Sequence, residues 1–276
     1  MGRTIACANQ KGGVGKTTTV VNLASLLALS GDRILLVDLD PQGNATSGLG
    51  IDRASLERSS YDGIIDGMDL REAIVRGSAE GVDVVPASIA LAGAEVELAG
   101  AAARERRLRR LIEPLAGGYD HIFIDCPPSL GLLTVNDLTA ADTELIPLQC
   151  EYYALEGLTQ LLATIDLVRD HLNPWLAIDG VVLTMADGRT NLSADVEAEA
   201  RRHLDGTVYD TVIPRSVRLS EAPSHGRSIA SYAPESRGGL AYAALAAEFQ
   251  ARNARRSENR AIGIPVVRDA DLAVLS

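Results

Sequence analysis

A short run near the amino terminus combines glycines, lysines and threonines in the spacing of a phosphate-binding loop. It reads Asn9-Gln10-Lys11-Gly12-Gly13-Val14-Gly15-Lys16-Thr17-Thr18. The glycines let backbone N–H groups turn toward a phosphate, and a following helix points its positive end at the same place. Lys16 would bring a mobile charge to the β- and γ-phosphate oxygens, and Thr17 would bring a hydroxyl to Mg²⁺. The nucleotide-binding residues are therefore predicted to be Lys11, Gly12, Gly13, Val14, Gly15, Lys16, Thr17 and Thr18.

Two other segments end an apolar run in carboxylates. The run 34–37 leads into Asp38 and, after one leucine, Asp40, while the run 122–124 leads into Asp125. In open α/β sheets the ligand binds at the carboxyl ends of the strands, so these carboxylates are expected beside the loop. The competing interpretations are local ones, because Asp40 could cap a helix and Asp125 could form a turn.

A sheet is needed to bring these residues together, and the hydrophobic pattern predicts one. Short runs rich in Val, Ile and Leu alternate with longer helical stretches, which predicts an α/β fold with a mostly parallel central sheet flanked by helices. The predicted strands are 4–9, 34–38, 82–86, 121–125, 144–148, 178–184 and 208–213. The predicted helices are 16–30, 104–115, 155–172, 193–204 and 240–256.

Composition narrows the class of protein. The 276 residues are 46% hydrophobic and carry a net charge of -11. These values are typical of a globular protein whose surface is not positively charged overall. We see no leader peptide and no apolar run long enough to span a bilayer, so a cytoplasmic protein is expected. The cysteines, Cys7, Cys126 and Cys150, lie in or beside apolar runs without metal-ligand spacing and are predicted to be buried thiols.

The phosphate loop has an unusual form. Gln10 stands where a first glycine is usual, and Lys11 precedes the two glycines. The chain has only two lysines, Lys11 and Lys16, and both fall in this loop, which suggests that a compact ammonium is needed there. Lys11-Gly12-Gly13-Val14-Gly15-Lys16-Thr17 resembles the deviant Walker A motif. From about residue 4 to about residue 250 the chain resembles the ParA/Soj branch of the ParA/MinD family of P-loop ATPases.

The resemblance implies ATP and Mg²⁺ as cofactors and a single ATPase domain over 1–253. It implies that Lys11 reaches across a homodimer to the partner's nucleotide, and that Asp40 positions the attacking water, so the predicted catalytic residues are Lys11, Lys16 and Asp40. It places Thr17, Asp38 and Asp125 around Mg²⁺. The segment 212–224 resembles the part of the family that lines the adenine, which nominates Pro214 and Ser216, although the family more often has asparagine at the latter position.

The resemblance also implies that the ATP-bound protein binds DNA. Arg189 and Arg218, with neighbouring Arg215, are predicted to contact the DNA backbone without reading sequence, and Arg201, Arg202 and Arg227 could widen that patch. No helix-turn-helix precedes residue 4, so site recognition is expected from a ParB-like partner. The protein would then be associated with the nucleoid and drive chromosome or plasmid segregation. A solvated surface is the competing interpretation for each arginine.

Three other functions stay open at this stage. A MinD-like positioning ATPase would need a basic amphipathic carboxyl-terminal helix, whereas the segment 269–276 is acidic. An electron-transfer protein would need cysteines spaced to share an iron–sulfur cluster, which we do not see. A metabolic P-loop enzyme would need a second substrate motif, and we recognise none.

Two segments have no assigned role. The run Arg104-Glu105-Arg106-Arg107-Leu108-Arg109-Arg110 predicts an exposed basic helix face, either solvated or in contact with a partner or DNA. The residues 254–276 change to polar character and contain Pro265, so we predict a tail that wraps the surface or is disordered.

Overall fold

The computed structural model describes residues 2–78, 80–151, 154–204 and 206–261. Within these residues, all the predicted strands form, and their ends differ from the prediction by at most two residues. The strands are β1 (Arg3–Cys7), β2 (Ile34–Asp38), β3 (Asp83–Val85), β4 (His121–Asp125), β5 (Thr143–Gln149), β6 (Ala177–Ala186) and β7 (Val208–Pro214). They join in one sheet of order β3-β2-β4-β1-β5-β6-β7, with parallel pairing throughout. The predicted α/β class with a parallel sheet is confirmed.

Helices connect and cover the strands. They are α1 (Lys16–Leu29), α2 (Asn44–Gly48), α3 (Leu91–Leu98), α4 (Arg107–Ile112), α5 (Leu132–Ala140), α6 (Ala154–His171), α7 (Asn191–His203), α8 (Val217–Glu221), α9 (Ile229–Tyr232) and α10 (Arg237–Ala261). Shorter helical turns lie at Arg53–Ser55, Asp62–Asp66, Leu70–Glu72, Arg104–Arg106, Glu113–Leu115 and Ala222–His225. The prediction of one helix over 104–115 was wrong, because the segment divides into two 3₁₀ turns around α4, and Pro114 has no N–H to continue the α-helix.

The strands are apolar on both faces because helices cover both. On one face, Leu35 and Val37 pack with Leu108 of α4 and with the buried residues of α5, α6 and α7. On the other, Ile34 and Leu36 pack against α1, α9 and α10. With both faces occupied, the ends of the strands are left to carry polar groups. The carboxyl ends of β1, β2 and β4 are adjacent, since β4 pairs with both of the others.

The last helix extends further than predicted. We expected it to end at residue 256, but α10 continues to Ala261. Arg256, the predicted last residue, lies inside the helix, and its guanidinium donates to the side chain and backbone of buried Asp179 on β6. The predicted boundary between a domain at 1–253 and a tail at 254–276 therefore falls inside α10. Residues 262–276 lie outside the described part of the chain, where the tail stays a prediction.

The cysteine prediction is confirmed. Cys7, Cys126 and Cys150 are buried free thiols, and burial raises the pKa of each above its ordinary value. Reactive thiolates are therefore disfavoured at all three positions. In the described residues, we find no helix that is both long enough and apolar enough to cross a membrane.

Candidate nucleotide-binding site

The predicted phosphate loop joins β1 to α1 at the carboxyl edge of the sheet. Gly13 and Gly15 adopt positive φ angles of 75° and 93°, a region in which a side chain would be strained. Buried Thr184 of β6 donates its hydroxyl to the Val14 carbonyl at 2.8 Å, which fixes the loop against the sheet. The strand, turn and helix expected from the sequence are all present, with α1 beginning at Lys16.

Lys16 points back into its own loop. Its side-chain ammonium donates to the Asn9 carbonyl at 3.0 Å and to the Lys11 carbonyl at 3.3 Å, and the residue is only 6% exposed. Neutral carbonyls are weak partners for a buried ammonium compared with phosphate oxygens. The loop therefore holds a buried positive charge ready for an anion.

Thr17 and Asp125 lie together below the loop. The Thr17 hydroxyl donates to one carboxylate oxygen of Asp125 at 2.8 Å. The other oxygen, Oδ1, is buried without a hydrogen-bond partner among the described residues. Burial and the nearby charge of Asp38 raise the pKa of Asp125 well above its ordinary value. A divalent cation beside these groups would relieve the carboxylate, so this pair fits a magnesium site.

Asp38 faces Asp125 across the pairing of β2 with β4. Its oxygens accept hydrogen bonds from the Thr46 hydroxyl at 2.6 Å, the Thr46 amide at 2.8 Å and the Asp40 amide at 3.2 Å. Burial nevertheless raises its pKa to about 6. Since both oxygens of Asp38 already have donors, Thr17 and Asp125 have the freer oxygens for an ion. Among the described residues, no cluster of three or more histidine, cysteine or carboxylate side chains could hold a metal alone.

Asp40 lies in the turn after β2 and is mostly buried. Its Oδ1 accepts from the Gln42 amide at 2.9 Å, and its carbonyl accepts from Gly43 at 2.8 Å. The local capping interpretation therefore has a counterpart in the structure, although the cap closes a turn before α2. The predicted catalytic role of Asp40 stays a prediction.

Lys11 points away from the loop. Its ammonium lies 3.0 Å from Oε2 of Glu151, a residue that follows β5. The Lys11 side chain is 37% exposed. The two lysines of the loop therefore have opposite orientations, one buried and one accessible. Sequence reasoning missed Glu151, although its position after a strand end is the signal that identified Asp38 and Asp125.

Pro214 and Ser216 lie at the end of β7, on the same edge of the sheet but beyond β5 and β6. Pro214 pairs with Ala186 of β6, and Ser216 precedes α8. In the described residues, neither makes a hydrogen bond to the phosphate loop. Their predicted contact with adenine stays a prediction.

The predicted DNA-contacting arginines are exposed, and each has a carboxylate partner. Arg189 donates to both oxygens of Asp187 at 2.8 and 2.7 Å, Arg218 donates to Glu221 at 2.9 Å, and Arg215 lies 3.6 Å from Glu151. Arg201 and Arg202 also pair with carboxylates. By contrast, exposed Arg106, Arg109 and Arg110 of the basic run have no ion pair or hydrogen bond from their side chains within the described residues. Phosphate contacts at the predicted patch would therefore replace existing ion pairs.

A seven-stranded parallel sheet with a glycine-rich loop, a buried lysine and a threonine–aspartate pair defines a P-loop nucleotide-binding protein. An AAA domain family model matches residues 2–178. The chain is 58% identical to sporulation initiation inhibitor protein Soj from Bacillus subtilis over 91% of this chain and 99% of that protein. It is 50% identical to chromosome partitioning protein ParA from Myxococcus xanthus over 95% of this chain and 93% of that protein.

Solved structures agree with this class. A Mycobacterium smegmatis protein described as cobyrinic acid a,c-diamide synthase, with bound ATP analogue and magnesium, is 41% identical over 90% of this chain and 93% of its own, with a TM-score of 0.79. The septum site-determining protein MinD from Pyrococcus horikoshii, in complex with Mg-ADP, is 28% identical over 90% and 96%, with a TM-score of 0.75. The chain belongs to the Soj/ParA family of chromosome partitioning P-loop ATPases.

Proposed function

We propose that this chain is an ATP-dependent switch for chromosome or plasmid partition. Its loop would bind Mg-ATP, two subunits would close face to face around the nucleotides, and the closed dimer would bind DNA without reading sequence. Hydrolysis, stimulated by a ParB-like partner, would then release the DNA. The observation that supports this most is the opposite orientation of the loop's two lysines, with Lys16 buried for its own nucleotide and Lys11 accessible to a second subunit.

The residues of the site divide the work. Lys16 and the loop amides would neutralise the phosphates, while Thr17 and Asp125 would hold Mg²⁺. Bound Mg²⁺ would supply positive charge for the leaving phosphate. Asp40 would orient the attacking water, and Pro214 and Ser216 would border the base. We expect slow intrinsic turnover, because a switch has to persist until its partner resets it.

The output surface would comprise Arg189, Arg215 and Arg218. Their exposure and their place on one edge of the sheet support contact with a phosphate backbone. Since each is already paired with a carboxylate, DNA phosphates would have to compete with that partner. This makes the binding moderate, sensitive to salt and suited to release. The protein would then be found in the cytoplasm, bound to the nucleoid.

The test is binding to random-sequence duplex DNA without nucleotide, with ADP, with ATP and with a slowly hydrolysed ATP analogue, across a salt series. We expect binding only with ATP or the analogue. The triple variant Arg189→Gln, Arg215→Gln, Arg218→Gln should reduce the salt slope by about one for each phosphate that the variant no longer neutralises.

The matched control is Arg106→Gln, Arg109→Gln, Arg110→Gln, which removes the same charge from exposed arginines outside the predicted patch. It should bind DNA much as the unmodified chain does. An equal weakening in both triple variants would mean that overall charge, and not the predicted patch, governs binding. ATP hydrolysis without DNA binding in any nucleotide state would contradict a role in partition. It would favour a metabolic P-loop enzyme.

A further inference from the structure

One carboxylate joins two cations that the proposed function uses separately. Glu151 Oε2 accepts a hydrogen bond from the Lys11 ammonium at 3.0 Å, and Glu151 Oε1 lies 3.6 Å from Arg215. The sheet order explains this meeting. Glu151 follows β5, which pairs with β1, and β1 leads directly into the loop that carries Lys11.

The carboxylate has a second anchor that does not depend on Lys11. Gln149, buried at the end of β5, donates its side-chain amide to Glu151 Oε1 at 2.6 Å. If Lys11 leaves, Glu151 therefore keeps a donor that orients it. A carboxylate held in this way can capture the same ammonium again when it returns.

The interaction with Lys11 is weak enough to be exchanged. The Lys11 and Glu151 side chains are 37% and 44% exposed, so water screens their attraction. An exposed ion pair of this kind changes an equilibrium by roughly twofold to fivefold. Polyphosphate oxygens carry more charge than one carboxylate. They would therefore replace Glu151 as the partner of the Lys11 ammonium when they lie close to it.

We propose that Glu151 is the positioning residue of Lys11, holding its ammonium on its own subunit until the nucleotide of a facing subunit replaces the carboxylate. This inference rests on the proposed function, in which Lys11 reaches across the dimer. The same ammonium cannot stay at Glu151 and also lie among the phosphates of another subunit. Glu151 therefore opposes pairing and raises the protein concentration at which dimers form.

The experiment measures the dimer dissociation constant by sedimentation velocity with a slowly hydrolysed ATP analogue and Mg²⁺. It compares the unmodified chain with Glu151→Gln, Lys11→Ala and the double variant. We expect Glu151→Gln to tighten the dimer about twofold to fivefold. In the Lys11→Ala background the same substitution should have no such effect, because the ion pair it removes is already absent.

Glu156→Gln is the matched control. Glu156 lies a short way along the chain on α6, is exposed, and has no side-chain hydrogen bond or ion pair within the described residues, so its substitution removes the same charge without touching Lys11. It should leave the dimer constant unchanged. Glu151→Asp, which keeps the charge, should restore part of the unmodified value.

A spectroscopic readout follows from the lysine content. Because Lys11 and Lys16 are the only lysines, selective isotopic labelling gives two side-chain signals. Without nucleotide, Glu151→Gln should shift the Lys11 signal and leave the Lys16 signal in place, which a general structural change would not do.

Two outcomes would overturn the positioning role. One is a dimer that weakens in Glu151→Gln, and the other is an equal effect with and without Lys11. Failure of the proposed function has a different signature, since the unmodified chain would then form no dimer with the ATP analogue, whatever the variants do.

Discussion

Two pairs of buried carboxyl groups lie in the same sheet region and differ in what surrounds them. The edge pair, Asp38 and Asp125, lies at the carboxyl ends of β2 and β4, and the interior pair, Asp137 and Glu144, lies on α5 and β5. All four carboxyl groups are buried, and burial raises the pKa of each. Burial alone therefore does not identify a functional acid in this chain.

The two pairs differ in where their unpartnered oxygens lie. The edge pair receives donors from Thr17, Thr46 and the backbone, next to a loop built for phosphate. Asp125 and Glu144 each have one buried oxygen without a partner within the described residues, but that of Asp125 lies beside the phosphate loop. In the interior pair, neither oxygen of Asp137 has a nitrogen or oxygen donor within the same residues. The edge pair therefore fits a cation beside the phosphate loop, whereas burial of the interior pair costs stability.

The largest expected effect is at the edge pair. Asp125→Asn should lower Mg-dependent ATP hydrolysis by about a hundredfold or more, because the carboxylate that helps to hold the ion is removed. The same variant should unfold at a higher urea concentration without nucleotide, since a buried charge is removed. Hydrolysis assays and urea unfolding check the two results. Near-normal hydrolysis would place the essential carboxylate elsewhere.

At the interior pair, the expected effect is on stability. Asp137→Asn should raise the free energy of unfolding by about 1 to 3 kcal/mol near pH 8, because the amide is buried without the cost of an ionisable group. ATP hydrolysis should stay close to that of the unmodified chain. Urea unfolding with a parallel hydrolysis assay separates this from the edge pair, and a decrease in both properties would contradict the division.

The stability of the chain should also depend on pH through Asp137. Burial raises the pKa of Asp137 from its ordinary value of 3.8 to about 8, so the folded chain keeps a proton that the unfolded chain loses. Stability contributed at this position should therefore fall as pH rises between these two values and level off above the higher one. The advantage of Asp137→Asn should grow between about pH 5 and pH 8. An advantage that is constant with pH would show that ionisation is not its cause.

The smallest effect is expected at Glu144. One of its oxygens accepts from the Ala8 amide, and the glutamine oxygen of Glu144→Gln can keep that bond. The substitution should therefore stabilise the chain by less than about 1 kcal/mol. A larger gain than that of Asp137→Asn in urea unfolding would reverse the order of the two interior acids.

The sequence predicted most of the sheet and the loop because both are local patterns. Each strand is a short apolar run, and the loop's glycines and lysines are consecutive in the chain. The sequence did not predict α2, α3, α5, α8 and α9, because each of these helices is too short to show a helical repeat. The end of α10 was also misplaced, since the helix continues past the polar residues at which the sequence predicted it to stop.

The sequence predicted the residues of the site better than the contacts between them. Thr17 and Asp125 were both nominated, but only the pairing of β1 with β4 brings one to the other. The partners of the exposed cations could not be predicted, because Lys11 meets Glu151 across 140 residues of sequence. Asp137 gave no signal either, since one acid within a helical stretch normally faces water.

The only tryptophan, Trp175, has a practical consequence for optical measurements. It is 78% exposed and lies just before β6, at the amino end of the strands and opposite the phosphate loop. Its indole is already in contact with water in the folded chain, so its emission should be red-shifted before any denaturant is added. Intrinsic fluorescence would then change little on unfolding or nucleotide binding, whereas a tryptophan introduced near the loop would provide a signal against a nearly constant background.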